Sequence, residues 1–219
     1  MEDPASTANQ ADFAETSSAL AYPRPPEVAE FAQALIHTRQ TILPRRLAGP
    51  GPSPSELQVI LKAAGAAPDH HRLIPWRFVL VPATSRARLG EAFAAALAER
   101  DPSASPEQMA QAYEKAERAP LLMLAIVRIT DEDAEIPPAE RLVSAGCAIQ
   151  NMLLMAHALG YGGALTSGKA MNSKPLRTLF DLAEHEQALC FVSIGTTIKT
   201  KPIPLRPEVS RYVSELNKH

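Results

Sequence analysis

Cysteine is scarce in this chain. Only Cys147 and Cys190 occur, both amid apolar neighbours and without metal-type spacing. They predict buried, reduced thiols in a cytoplasmic protein. No charge of one sign dominates: 22 Lys and Arg against 24 Asp and Glu leave a net charge of −2, which argues against a polybasic nucleic-acid binder. No apolar run reaches the roughly 18 residues of a membrane span. The N-terminus lacks the basic stretch and apolar core of a secretory signal. Glycine-rich phosphate motifs are missing too. Neither GxGxxG after a strand nor GxxxxGK[ST] occurs, which speaks against Rossmann and P-loop nucleotide binding. The absence of HExxH and HxH argues against a zinc centre at His70 and His71. Without a GxSxG elbow or a thiolate-stabilising context, Asp69 and His70 have no nucleophile to activate.

The 219 residues are 46% hydrophobic and 21% charged, a globular composition with enough chain for one sizeable core. Twenty prolines, about twice the usual share, cut the chain into short pieces. Residues 1–22 carry Glu2, Asp3, Asp12 and Glu15 with no Lys or Arg, and very few large aliphatics. Such a segment cannot offset its ordering entropy. With the stiff Tyr22-Pro-Arg-Pro-Pro26 connector, residues 1–26 are expected to form a disordered or extended arm, one alternative being an arm that wraps a partner subunit. Residues 27–219 form the folded domain.

Val28, Phe31, Ala32, Leu35 and Ile36 recur at helical spacing. Ser53-Pro-Ser-Glu56 predicts a capped helix start. Residues 76–81 and 121–127 read as strands, the second buried on both faces. Two Ala-rich helices are expected over 85–100 and 106–118. Residues 140–159 are apolar nearly all round, the pattern of a helix in a core centre or at a subunit interface. A glycine turn over 160–163 leads to a short extended piece at 164–167, and a helix follows from the Ser173 cap over 173–182. Residues 189–194 read as a strand closed by Gly195. Helices flanking a central sheet of about four strands make the class α+β.

Four constellations carry chemistry: His37-Thr38-Arg39-Gln40 with Arg45 and Arg46; Pro68-Asp69-His70-His71-Arg72 before Pro75-Trp76; Gly160-Tyr-Gly-Gly163 through Leu165-Thr166-Ser167-Gly168; and Gly195-Thr196-Thr197 with Lys199, Lys201 and Arg206. Lys and Arg near free N–H donors suit a phosphate. Glycine clusters allow close backbone approach to a flat group.

Their order along the chain, with Ser144-Ala-Gly-Cys-Ala-Ile-Gln-Asn151 between the second and third, resembles the nitroreductase family of flavin oxidoreductases over about residues 28–200. The resemblance implies a nitroreductase-like α+β fold with a mostly antiparallel sheet, a homodimer, and one FMN in each of two sites built by both chains. It places the family's Arg-Arg-Ser phosphate motif on Thr38, Arg39 and Gln40, so only the middle arginine is kept. It assigns the histidine after Pro-Asp to His70. It puts the Trp-Arg-Ser stretch and its glycine on Leu165, Thr166, Ser167 and Gly168, with backbone N–H groups near Ser167 and Gly168 toward the flavin N5 edge. Lys199 or Lys201, and Arg206, would stand near the phosphate. The implied activity passes hydride from NAD(P)H through FMN to an electron-poor acceptor such as a nitroaromatic or quinone. No side chain is assigned a catalytic role. The lost arginines at Thr38 and Thr166 motivate an alternative, a flavin-binding homodimer without turnover that serves as carrier, sensor or partner protein.

Overall fold

The structure is a computed structural model that describes residues 26–130, 135–199 and 202–216. The expected arm before Pro26 and Lys201 lie outside the described residues. The chain divides into two units, residues 1–37 and 38–219. Helix α1 (Pro26–Thr38) makes up the described part of the first. Its apolar stripe, Val28, Phe31 and Ile36, stays exposed.

The second unit is built on one sheet: β1 (Leu47–Ala48), β2 (Trp76–Leu80), β3 (Leu121–Arg128), β4 (Gly162–Thr166) and β5 (Glu186–Thr197). β5 lies at its centre. It pairs antiparallel with β3 on one side and β4 on the other, with β1 at its C-terminal end, while β2 pairs outside β3. The interior of β3 is buried on both faces, as a continuous Leu/Ile/Val run requires. Toward one face Met123, Ala125, Cys190, Val192 and Ile194 pack on α2 (Pro54–Ala64) and α5 (Pro138–Ala158). Toward the other, Leu122, Leu124, Ile126 and Phe191 meet α3 (Arg86–Arg100) and α6 (Lys174–Leu179), and α4 (Pro106–Glu114) lies against α3. The expected α+β class is therefore what the chain adopts.

Two local devices fix this arrangement. Ser53 caps α2 reciprocally: Glu56 N–H donates to its Oγ (3.3 Å) and Ser53 N–H donates to Glu56 Oε2 (2.8 Å). The Arg86 guanidinium is buried and donates to the carbonyls of Val81 (2.9 Å), Ala116 (2.6 Å), Ala119 and Pro120 (3.3 Å each). One side chain thus ties the start of α3 to the turn before β3.

Several expectations need correction. β5 does not stop at Gly195 but runs to Thr197. A Cβ at 195 would fall 2.5 Å from Pro120 and 3.1 Å from the Ala48 carbonyl, so this glycine permits close packing inside a strand rather than a turn. Gly162 and Gly163 likewise begin β4 instead of ending a turn. Side chains there would collide with Thr197 and Leu47, and with Leu153. Only Gly160, at φ +87°, has the backbone of a helix-ending glycine. Cys190 is buried, and burial pushes its thiol up to about 11. Cys147 is only half-buried, because it lies on the side of α5 away from Ala145, Ala148, Ile149 and Met152. None of the described helices is long and apolar enough to cross a membrane.

Candidate functional site

β4 is an edge strand along most of its length. Beyond β5 it meets only an isolated parallel bridge, Thr41 with Gly163, where Ile42 N–H donates to the Gly163 carbonyl at 3.0 Å. By the two-residue repeat of a strand, the main-chain polar groups of Leu165 point the same way as those of Gly163. No described strand pairs with them. An unpaired N–H and C=O at an edge are ready partners for another chain or a ligand.

A cavity sits at each end of this edge. The one at the Gly162–Gly163 end has a volume of about 240 Å³ and is lined by Thr38, Arg39, Gln40, His157, Tyr161 and Thr197. Its charge is of one sign. The Arg39 guanidinium is held below its usual range, first by burial and then by Arg206; Arg206 also donates to the Arg39 carbonyl at 2.8 Å. Burial and then Arg39 push the His157 imidazole down, and Thr38 Oγ1 lies 2.8 Å from its Nε2. Two guanidiniums are thus held together, and among the described residues no carboxylate lines the cavity. Such an arrangement is costly alone and favourable around an anion.

At the Thr166 end lies a larger cavity of about 740 Å³. Thr166, Ser167 and Gly168 form one wall, Phe93, Leu122 and Phe191 form apolar surfaces, and the cations Arg45, Arg100, Lys115, Arg118 and Lys169 also line it, again without a carboxylate. A mostly apolar cleft with a few converging polar groups is the usual form of a small-molecule site. The two cavities are four strand steps apart, about 14 Å at roughly 3.4 Å per step. A cationic pocket at one end, an apolar cleft at the other and an unpaired backbone edge between them fit a flat ring carrying a phosphorylated tail.

His70 stands elsewhere. It lines a third cavity of about 300 Å³ with Asp69, Glu140 and Ser144, and its Nδ1 lies 2.9 Å from Glu140 Oε2. Asp69 organises this loop: its Oδ2 accepts from Ile74 N–H (2.6 Å) and its Oδ1 from Ser144 Oγ (3.3 Å). His71, Arg72 and Ile74 take positive φ values of 53°, 56° and 45°, an uncommon backbone for such side chains.

Within one chain, then, Thr38, Arg39 and Gln40 share one cavity, Thr166, Ser167 and Gly168 share a second, and His70 occupies a third. Leu165 lies on the edge between the first two. Lys199 is exposed two residues beyond Thr197 and lines none of these cavities. Sequence reasoning missed His157, Lys115, Arg118 and Ser193. His157 was legible only as a polar break in an apolar helix, and Lys115 and Arg118 look like solvated surface until the fold brings them above β5. Among the described residues no group of three or more His, Cys, Asp or Glu converges as a metal site.

Comparison with known proteins gives the family and the fold. The model of the nitroreductase family matches residues 36–196, which takes in both cavities at the ends of β4 up to Thr196. A Haemophilus influenzae protein named "Putative NAD(P)H nitroreductase" is 33% identical over 165 residues, 75% of this chain and 88% of the relative. The "Putative NAD(P)H nitroreductase YdjA" of Escherichia coli K12 is 34% identical over 154 residues, 69% of this chain and 81% of the relative. Among solved structures, a nitroreductase-like family protein from Bacillus cereus superposes with a TM-score of 0.71 at 17% identity, over 85% of this chain and 96% of that one. The FMN-dependent nitroreductase NfnB from Mycobacterium smegmatis, solved with NADPH, gives 0.67 at 18% identity over 87% and 100%. At such identities the structures attest the fold, while the family model and the closer sequence relatives establish descent. This chain belongs to the nitroreductase family.

Proposed function

We propose that the chain is an FMN-dependent oxidoreductase that takes hydride from NAD(P)H and reduces an electron-poor acceptor such as a nitroaromatic or quinone, working as a homodimer. Its oxidoreductase character rests on family membership. FMN and NAD(P)H are supported by FMN-dependent structural neighbours, one of them solved with NADPH, and by the names of the sequence relatives. One observation carries the reading: a cationic pocket and an apolar, cation-rimmed cleft, neither lined by a described carboxylate, at the two ends of a strand edge that no described strand covers beyond Gly163.

FMN, when bound, supplies the redox chemistry itself. The chain supplies the rest. Arg39 and Arg206 hold the phosphate, with Thr38, Gln40 and Thr197 offering hydroxyl and amide groups around it. The Leu165 main chain and the backbone near Ser167 and Gly168 orient the ring edge. Because main-chain contacts do not depend on side-chain identity, Leu165 and Thr166 fill their places without the family's Trp and Arg. Phe93, Leu122 and Phe191 line the cleft beside the ring edge, where an acceptor would lie, and the five cations there favour anionic groups. Lys199 adds charge near the phosphate end.

His70 lies in a cavity of its own and reaches a flavin site only from a second copy. The side of α5 that would meet such a copy presents Val143, 63% exposed, beside Gly146, Cys147 and half-buried Leu154. Apart from exposed Gln150 this face is apolar and of low relief, as a subunit contact with a few polar groups requires. The cytoplasm, where Cys147 and Cys190 stay reduced, is the proposed location.

The test is steady-state oxidation of NAD(P)H by the FMN-loaded protein with a quinone as acceptor. Sustained turnover supports the reading. Stable FMN binding without turnover leaves the non-catalytic flavin-binding homodimer in its place.

A further inference from the structure

Ser193 is the one buried side-chain polar atom among the described residues that finds no hydrogen-bond partner. It is 1% exposed and lines the 740 Å³ cavity. Its place is fixed by the sheet. A register shift opposite Ala125 and Ile126 turns Phe191 and, two residues on, Ser193 toward the α3 face, where Ser193 pairs with Leu122 of β3 and Ala164 of β4. A hydroxyl is therefore set in a floor of apolar side chains and small residues. An unpartnered buried hydroxyl is costly and rare in folded proteins.

Above this floor Phe93 and Phe191 stand edge to face, with ring centroids 5.5 Å apart, and the rim carries cations and no carboxylate. A polar donor at the bottom, aromatic walls and a positive mouth describe a ligand with three matching parts. We infer that the Ser193 floor and the cationic rim form the acceptor subsite, and that it selects an aromatic anion whose uncharged polar end reaches Ser193 while its anionic end stays at the rim. The identification of this ligand as an acceptor rests on the proposed function; its binding does not.

The probe is 4-nitrobenzoate, whose nitro and carboxylate groups lie at opposite ends of one ring, with 4-nitrobenzyl alcohol as the neutral counterpart. Each is titrated calorimetrically into the wild-type protein without NAD(P)H, with and without FMN. The carboxylate should bind about tenfold or more tightly than the alcohol, and the gap should shrink as salt screens the rim. The double variant Arg100→Gln with Arg118→Gln removes two of the five cations and should cut that preference several-fold while leaving the alcohol unaffected. Ser193→Ala, which removes only the donor, should weaken both ligands by about fivefold with an unchanged circular dichroism spectrum. Equal affinity for the two ligands, no heat from either, or a preference undiminished in the double variant overturns the inference. Anion preference in a protein that never takes up FMN would remove the proposed function and leave this subsite standing; FMN uptake without anion preference would do the reverse.

Discussion

Replacing Arg39 with Gln separates binding from folding at the phosphate end. Arg39 is partly buried beside Arg206 and His157, and burial and Arg206 both work against its charge. In a protein without ligand that charge is a burden; around a phosphate it is an asset. A hydrogen bond to a charged group contributes roughly 1.5–3 kcal/mol against about 1 kcal/mol for a neutral one. Arg39→Gln keeps a hydrogen-bonding side chain and loses the charge, so it should cost about 0.5–2 kcal/mol of FMN binding, or about 2- to 30-fold in Kd. The FMN-free protein should keep its Tm or gain slightly, because like-charge repulsion is relieved. The His157 imidazole should move part of the way back toward its usual range, since burial, its larger cause, remains. FMN fluorescence titration, thermal melting without ligand and an NMR titration of His157 read the three effects. An unchanged Kd, or a weakened Kd together with a lowered Tm in the FMN-free protein, would refute the reasoning.

Other outcomes follow from single contacts. Arg86→Met should destabilise the protein by about 3 kcal/mol in urea unfolding, because it strands the carbonyls of Val81, Ala116, Ala119 and Pro120. The depressed His157 pKa gives stability a pH dependence. Below the ordinary value of 6.5 the unfolded chain binds a proton that the folded one does not, so stability should fall as pH drops through that value and level off below the folded pKa. His157→Gln should flatten the urea midpoint between about pH 7.5 and about pH 5.5; an undiminished slope would contradict the assignment. Leu154→Arg puts a charge on the uncovered side of α5 and should shift the mass in light scattering from two copies to one with helix content retained; a dimeric variant would count against that face as the contact.

Much of this was legible in the sequence where local chemistry decides. Ser53 and Glu56 announce their capping box, the 121–127 run announces a strand buried on both faces, and Gly160 announces a helix end. The glycines at 162, 163 and 195 were misread as turn formers because their reason is tertiary: Thr197, Leu153 and Pro120 approach too closely for a side chain. The candidate site divides the same way. Thr38, Arg39, Gln40 and the residues 165–168 stand out by order along the chain. Lys115, Arg118 and Ser193 carry no local signal and come to line one cavity only when the turn between α4 and β3 is brought near β5. Nor does the sequence show that His70 pairs with Glu140, far from the other candidates, because that contact depends on how the Asp69 loop folds back onto α5.

The central claim is that the edge of β4 and its two cavities hold a phosphorylated flavin. FMN titration of the purified, flavin-stripped protein, followed by visible absorbance, with riboflavin titrated in parallel, tests it most directly. The account predicts saturable uptake of one FMN per chain and binding of riboflavin at least tenfold weaker, since only FMN reaches Arg39 and Arg206 with a phosphate. A protein that stays colourless, or one that binds riboflavin as well as FMN, would contradict it.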